Sequence, residues 1–267
     1  VCFISEQARN ITEIAKGRVN HFVFVSTCDV YGYPLSCLPI RETDPWVKTN
    51  SPYAENKRKC EEVFKGYFDK GILPLTIVRP SYSFGNEFVI SFFSRDGGLT
   101  LIPRLKAGNP VFVPGDGTTL MHASAAVNTG RMIGNIIGSD RTIGESYTCG
   151  HETFTTHDRY IGLFAKALGV KPNIVHIPYD LLLKTGRKEV NESILEAVTR
   201  HNIAFSMDSF KSCFPDFKWE ISLEEAAKEY IRHNEERGLF ASPDEQIFED
   251  RLISAWNKAT KNFTGLL

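Results

Sequence analysis

No apolar run in this chain approaches the ~18 residues that a membrane-spanning helix needs, so no membrane partner is expected. No C-x-x-C pair occurs among the six cysteines, Cys2, Cys28, Cys37, Cys60, Cys149 and Cys213. Their scattered spacing suits neither a zinc site nor a disulfide framework, which leaves free thiols in a reducing, cytoplasmic compartment and no metal. His151-Glu152 and His157 lack the H-E-x-x-H spacing of a zinc helix and read as a loop entering a helix. Positive charge is not in excess: 31 Lys and Arg face 32 Asp and Glu, a formal net charge of −1. A general nucleic-acid binder carries a basic surplus, so nucleic acid is not an expected partner. The opening Val1-Cys2-Phe3 has no basic n-region and does not read as a signal peptide.

What is present is ordinary globular material: 267 residues, 42% apolar and 24% charged, enough for one large α/β domain or one domain with a small lobe. Residues 5–16 read as a short helix, and His21-Phe22-Val23-Phe24-Val25 is an apolar run of buried-strand type. Residues 28–50 form a loop rich in Pro, Asp and Thr. Ser51 is placed to cap a helix whose first turn holds Pro52 and which runs to about Lys70, stopped by Gly71. Leu73 to Val78 is the next strand, ended by Arg79-Pro80. Strand, helix and strand at this spacing make a βαβ unit, and therefore a parallel sheet. Farther on, strands are expected at 108–114, 145–149 and 173–177, and helices at 123–137, 156–168, 223–236 and 244–261.

A doubly wound nucleotide-binding sheet usually opens with a strand, a glycine-rich turn and a helix. G-x-G-x-x-G is missing. Gly115-Asp116-Gly117 has two of the glycines, but Leu120 stands at the third place, between a short strand and a helix far down the chain, where a plain turn is the better reading. The expectation is a Rossmann-type half whose opening strands lie before Val1, so that the sheet is incomplete at its N-terminus. The division expected is a cofactor domain over 1–107 and a smaller, mainly helical substrate lobe over 108–267, with one or more segments returning to the sheet.

Tyr53 and Lys57 stand four apart on the Pro52 helix, so their side chains share a face. A free phenol titrates near pH ~10, and a neighbouring cation favours the phenolate. Thr27 closes the first strand, where open α/β sheets place their ligands. A Tyr-x-x-x-Lys pair alone says little, because this composition yields about 0.5 such pair by chance. Its setting says more: Thr27-Cys28-Asp29-Val30-Tyr31-Gly32, then Ser51-Pro52-Tyr53-Ala54-Glu55-Asn56-Lys57, then Val78-Arg79-Pro80, each at the boundary of an element.

This ordered set resembles the extended short-chain dehydrogenase/reductase family, the NAD-dependent epimerase and dehydratase branch. The resemblance covers almost the whole chain, but only 22–85 is diagnostic. It implies an α/β Rossmann-like enzyme using NAD or NADP, which moves hydride at a hydroxyl- or keto-bearing carbon, with nucleotide sugars within the substrate class. Tyr53 would be the acid/base, Lys57 the ribose anchor and Thr27 the ligand of the substrate oxygen. Ser26, Pro80 and Ser81 would line the nicotinamide pocket together with Tyr53 and Lys57, and Thr27, Cys28, Asp29 and Tyr82 would face the substrate. A homodimer through the Tyr53 helix is also implied. The departures matter. Family dehydratases carry Thr-Asp-Glu before Val-Tyr-Gly, whereas here Cys28 stands at the acid position and Asp29 reads as an exposed loop carboxylate. Tyr82 replaces an Asn found in many epimerases, and Leu120-Met121 occupies the stretch of their diphosphate-gripping Arg, leaving Arg104 and Arg131 as surface residues to be considered for that task. Cys28 itself reads as a core-lining thiol rather than a nucleophile. The alternative function is a catalytically inactive relative serving as a scaffold or binding protein, RNA included.

Overall fold

The computed structural model describes residues 2–86, 88–90, 92, 98–191, 193–244 and 247–266. The chain falls into two compact units, each assembled from three segments: Val1–Ser83, His122–Phe154 and His201–Ile221 in the first, Phe84–Met121, Thr155–Arg200 and Ser222–Leu267 in the second.

In the first unit, helix α1 (Ser5–Ala15) begins where the Gln7 side chain accepts from the Phe3 and Ile4 N–H groups, two donors that the helix itself leaves unused. Strand β1 (Phe22–Val25) follows. Helix α2 (Pro52–Phe68) starts as its sequence dictates, with the Ser51 hydroxyl accepting from Ala54 N–H at 3.3 Å and Pro52 filling a position that needs no donor. Strand β2 (Leu75–Pro80) pairs in parallel with β1, Phe22 opposite Leu75 and Val25 opposite Val78. On its other side β2 pairs in parallel with Ser146–Cys149, Ile77 opposite Ser146 and Pro80 opposite Cys149. The sheet order is thus β1, β2, then Ser146–Cys149, and Rossmann-type parallel pairing with helical connections is what the chain forms. Ala8 and Ala15 of α1, Cys60 and Phe64 of α2, and Phe24, Leu75 and Ile77 of the sheet make one apolar cluster. The Cys2 and Cys60 thiols meet there at 3.8 Å, and all six cysteines are free.

Two motif residues turn out to be structural. Arg79 of β2 donates to both oxygens of Glu61 on α2, at 3.1 and 2.8 Å, and to the Tyr31 hydroxyl at 3.1 Å. Tyr31 in turn meets Thr148 Oγ1 at 3.0 Å. The tyrosine of Val-Tyr-Gly and the arginine of Val-Arg-Pro therefore belong to one buried network joining sheet and helix. Gly32 closes that turn with φ +75°, and a Cβ there would lie 2.5 Å from the Val47 carbonyl, so no other residue fits.

In the second unit, Val111–Pro114 pairs in parallel with Ile174–Ile177, and Leu120–Met121 pairs antiparallel with Thr155–Thr156. Phe112, Ile177, Leu182, Val190, Leu195 and Ile253 form its core. The Leu223–Glu236 helix opens with a reciprocal cap between Ser222 and Glu225. A helix not expected from sequence is Leu101–Ala107, whose early Pro103 interrupts the pattern. The helix expected from Asp244 begins at Ile247, with 245 and 246 outside the described residues. In the first unit, the helix expected from 123 begins at Ala126, because Ala123–Ala125 is a strand. Among the described residues no helix is long and apolar enough to cross a membrane, and no cluster of three metal-ligating side chains occurs.

Candidate active site at the strand ends

Thr27 sits just past β1. Its Oγ1 accepts from the Asp29 N–H at 3.2 Å, which starts the turn Cys28–Tyr31. The Thr27 hydroxyl is near enough to Tyr53 to favour its phenolate. Tyr53 is 43% exposed, open enough to meet a ligand. Its phenol is held above the ordinary range by partial burial and by the negative charge of Asp29 and Cys28, while Thr27 pulls it down. A lowered value was expected from the nearby ammonium, but Lys57 faces elsewhere.

Lys57 is only 5% exposed. Its ammonium donates to the Val25 carbonyl at 2.8 Å and the Cys2 carbonyl at 3.1 Å, and lies 4.6 Å from the centre of the Phe24 ring. Burial lowers its pKa. An ammonium has three donors, so one remains for another acceptor.

Ser26 and Ser81 follow β1 and β2. Ser26 N–H donates to the Val78 carbonyl at 2.7 Å and Ser81 N–H to the Cys149 carbonyl at 2.8 Å, which fixes both backbones. Their hydroxyls are different: each residue is more than nine-tenths buried, and neither Oγ has a hydrogen-bond partner. Gly150 backs this corner, where a Cβ would come within 2.7 Å of Ser81 Oγ and 3.2 Å of His122 Nε2. His122 was not singled out from sequence. Its Nε2 donates to the His151 carbonyl at 2.8 Å and its Nδ1 accepts from Phe205 N–H at 3.0 Å, so it is a neutral packing group, pushed by burial down to about 4. A His next to a Gly-Asp-Gly turn gave no hint of this, because the partners come from two distant segments.

Several expectations need correction. Asp29 is not an exposed loop carboxylate: it is half-buried and accepts from the hydroxyls of Tyr82 at 2.7 Å and Tyr33 at 3.1 Å. Burial raises its pKa despite those two donors. Tyr82 is therefore spent on Asp29. Arg104 is not a surface residue either; at 2% exposure it is held by the Pro110 and Pro243 carbonyls and an ion pair with Asp250. Arg131 pairs with Glu220. Neither arginine is spare for a diphosphate. Cys28 is buried, and burial pushes its thiol well up, which fits a packing role.

The family model described as "NAD dependent epimerase/dehydratase family" matches residues 6–128. That match covers a little under half of the chain, a segment that is similar to this family. The segment contains Ser26, Thr27, Asp29, Tyr53, Lys57, Pro80, Ser81 and Tyr82. Solved structures agree on the fold. RMD from Pseudomonas aeruginosa, complexed with NADPH, matches at 20% identity and TM-score 0.65, with 86% of this chain and 72% of that one covered. The dTDP-glucose 4,6-dehydratase of Bacillus anthracis, in complex with NAD, matches at 18% and 0.63, covering 87% and 65%. The UDP-glucuronic acid 4-epimerase of Bacillus cereus, in complex with UDP-glucuronic acid and NAD, matches at 15% and 0.65, covering 87% and 66%. The chain thus spans less than two thirds of the length of the latter two. No curated protein matches it.

Proposed function

We propose that this protein is an NAD(P)-dependent oxidoreductase of the epimerase/dehydratase type, acting at a hydroxyl- or keto-bearing carbon of a nucleotide sugar or similar polyol. The observation that carries the reading is the pair of buried, unpartnered hydroxyls of Ser26 and Ser81, which follow β1 and β2, Ser26 next to Thr27. A buried hydroxyl without a partner costs about 1–3 kcal/mol. Such groups persist most readily where a ligand completes them, and a scaffold has no use for two. They fit the polar edge of a nicotinamide dinucleotide, which, when bound, supplies the hydride acceptor or donor.

In this reading Ser26, Pro80 and Ser81 hold the nicotinamide end, and the remaining donor of Lys57 takes a ribose hydroxyl. Thr27 bonds the substrate oxygen, and Tyr53 takes or returns its proton. Oxidation followed by return of hydride to the opposite face inverts the carbon, whereas a single passage makes a reductase or dehydrogenase. Calorimetric titration with NAD and with NADP tests the cofactor half, and absence of binding by both refutes it. Tyr53→Phe should bind cofactor and melt like wild type but lose hydride transfer by about 10²–10⁴-fold. Unchanged turnover in that variant removes Tyr53 from the chemistry.

A further inference from the structure

Two sulfurs meet in the core of the first unit. Cys2 Sγ lies 3.8 Å from Cys60 Sγ, although the residues stand 58 apart in the chain. Both thiols are free and buried, in the apolar cluster that also holds Phe24 and Phe64. Packing alone asks only for a small apolar side chain at each place. A crosslink asks for two sulfurs turned toward each other. A disulfide brings its sulfurs to about 2 Å, so a movement of less than about 2 Å closes this pair. Cys60 is fixed on α2, whereas Cys2 lies on the irregular lead-in to α1, outside any helix or strand, and can supply that movement. The surroundings also serve the reaction. The Lys57 ammonium, one helical turn before Cys60, donates to the Cys2 carbonyl at 3.1 Å. Burial and the Cys2 thiol push Cys60 up to about 12, and the ammonium pulls against them, toward the reactive thiolate.

We propose that Cys2 and Cys60 are an oxidation site, at which a peroxide joins the lead-in of α1 to α2 through a disulfide. The Cys2 sulfur attacks hydrogen peroxide and takes one oxygen as a sulfenic acid, and one water leaves. The Cys60 sulfur then displaces the hydroxyl from Cys2, its proton leaves with that hydroxyl as a second water, and the S–S bond forms. Two thiols are oxidised and one peroxide is reduced to two waters. The site goes beyond the hydride-transfer reading and does not depend on it.

The test treats the folded, reduced protein with hydrogen peroxide, blocks the remaining thiols with N-ethylmaleimide and maps tryptic peptides by mass spectrometry. Cleavage after Arg9, Lys59 and Lys65 puts Cys2 and Cys60 on separate peptides. These should appear joined, lighter than their sum by two hydrogens, and should part again in dithiothreitol. The joined form should be about 10-fold more abundant than in protein oxidised in urea, where native contact is replaced by closure of a long loop. Cys28, buried but facing an Asp29 oxygen and the Tyr33 hydroxyl, should stay unlinked. The oxidised protein should also unfold at a higher urea midpoint than the reduced one, because the crosslink restricts the unfolded chain. Cys60→Ala should abolish that gain, and the peptide map of the wild type keeps the proposal falsifiable if this variant does not fold. Recovery of Cys2 and Cys60 unlinked, as free thiols or as separately oxidised residues, overturns the proposal. So does a crosslink that is no more abundant in the folded protein than in urea, or one that lowers the midpoint.

Discussion

Two buried polar groupings lie within a few residues of each other on the same strands, and they have opposite characters. Arg79, Glu61, Tyr31 and Thr148 form a closed network in which each named group meets another. The hydroxyls of Ser26 and Ser81 form an open set, in which each lacks a protein partner among the described residues. Both draw on the residues that make the family recognisable. The closed set explains why Val-Tyr-Gly and Val-Arg-Pro occur together: one residue of each completes the other. The open set marks where the protein is unfinished without a ligand. Neighbouring residues of one motif can thus differ in kind, and hydrogen-bond satisfaction separates them.

The sharpest way to break the comparison is to open the closed set. Arg79→Ala leaves the Glu61 carboxylate buried without its partner, which should lower stability by roughly 3–5 kcal/mol. Urea unfolding measures it. Replacing both residues with Met should cost less than the single change, because no stranded charge remains. A double variant as damaged as Arg79→Ala would show that the network matters for its shape rather than its charge balance.

His122 extends the closed set and makes it sensitive to pH. Its folded pKa lies at about 4 against an ordinary value of 6.5. The unfolded chain thus binds the proton more readily, and stability is fully present above 6.5 and is lost as pH falls from there toward 4. The full span corresponds to roughly 3 kcal/mol. His157, also pushed by burial to about 4, acts in the same window. Unfolding free energies measured from pH 7 to 4.5 should fall steadily, and His122→Gln should remove part of that slope. An unchanged slope in the variant would assign the effect to other groups.

Much of the closed set's framework was legible in local sequence pattern, whereas Ser26 and Ser81 were reached only through the family resemblance. Apolar runs at 21–25 and 73–78, with Ser51-Pro52 between them, announce strand, capped helix and strand by purely local rules. Thr27 and Tyr53 were joined through those elements. The state of Asp29 depends on Tyr82, a partner 53 residues away, and the aim of Lys57 depends on the Cys2 carbonyl, 55 residues away. No local pattern carries such information. Ala123-Ser124-Ala125 failed for another reason: residues this small have no apolar period, so a short strand entering a helix reads as helix throughout.

The smallest expected effect is the most discriminating. Ser81→Ala removes a buried hydroxyl that has no partner, so the apoprotein should be unchanged or gain up to about 1 kcal/mol. The same change should weaken NAD or NADP binding by a factor of about 3 to 10 if the hydroxyl serves the ligand. Stability and affinity then move in opposite directions, which no packing role predicts. A residue of the closed set cannot behave this way, since its loss damages the fold before any ligand arrives. Should Ser81→Ala destabilise the apoprotein by a full kcal/mol and leave cofactor affinity untouched, Ser81 belongs with Arg79 and Tyr31, and the open set loses the hydroxyl that Gly150 backs.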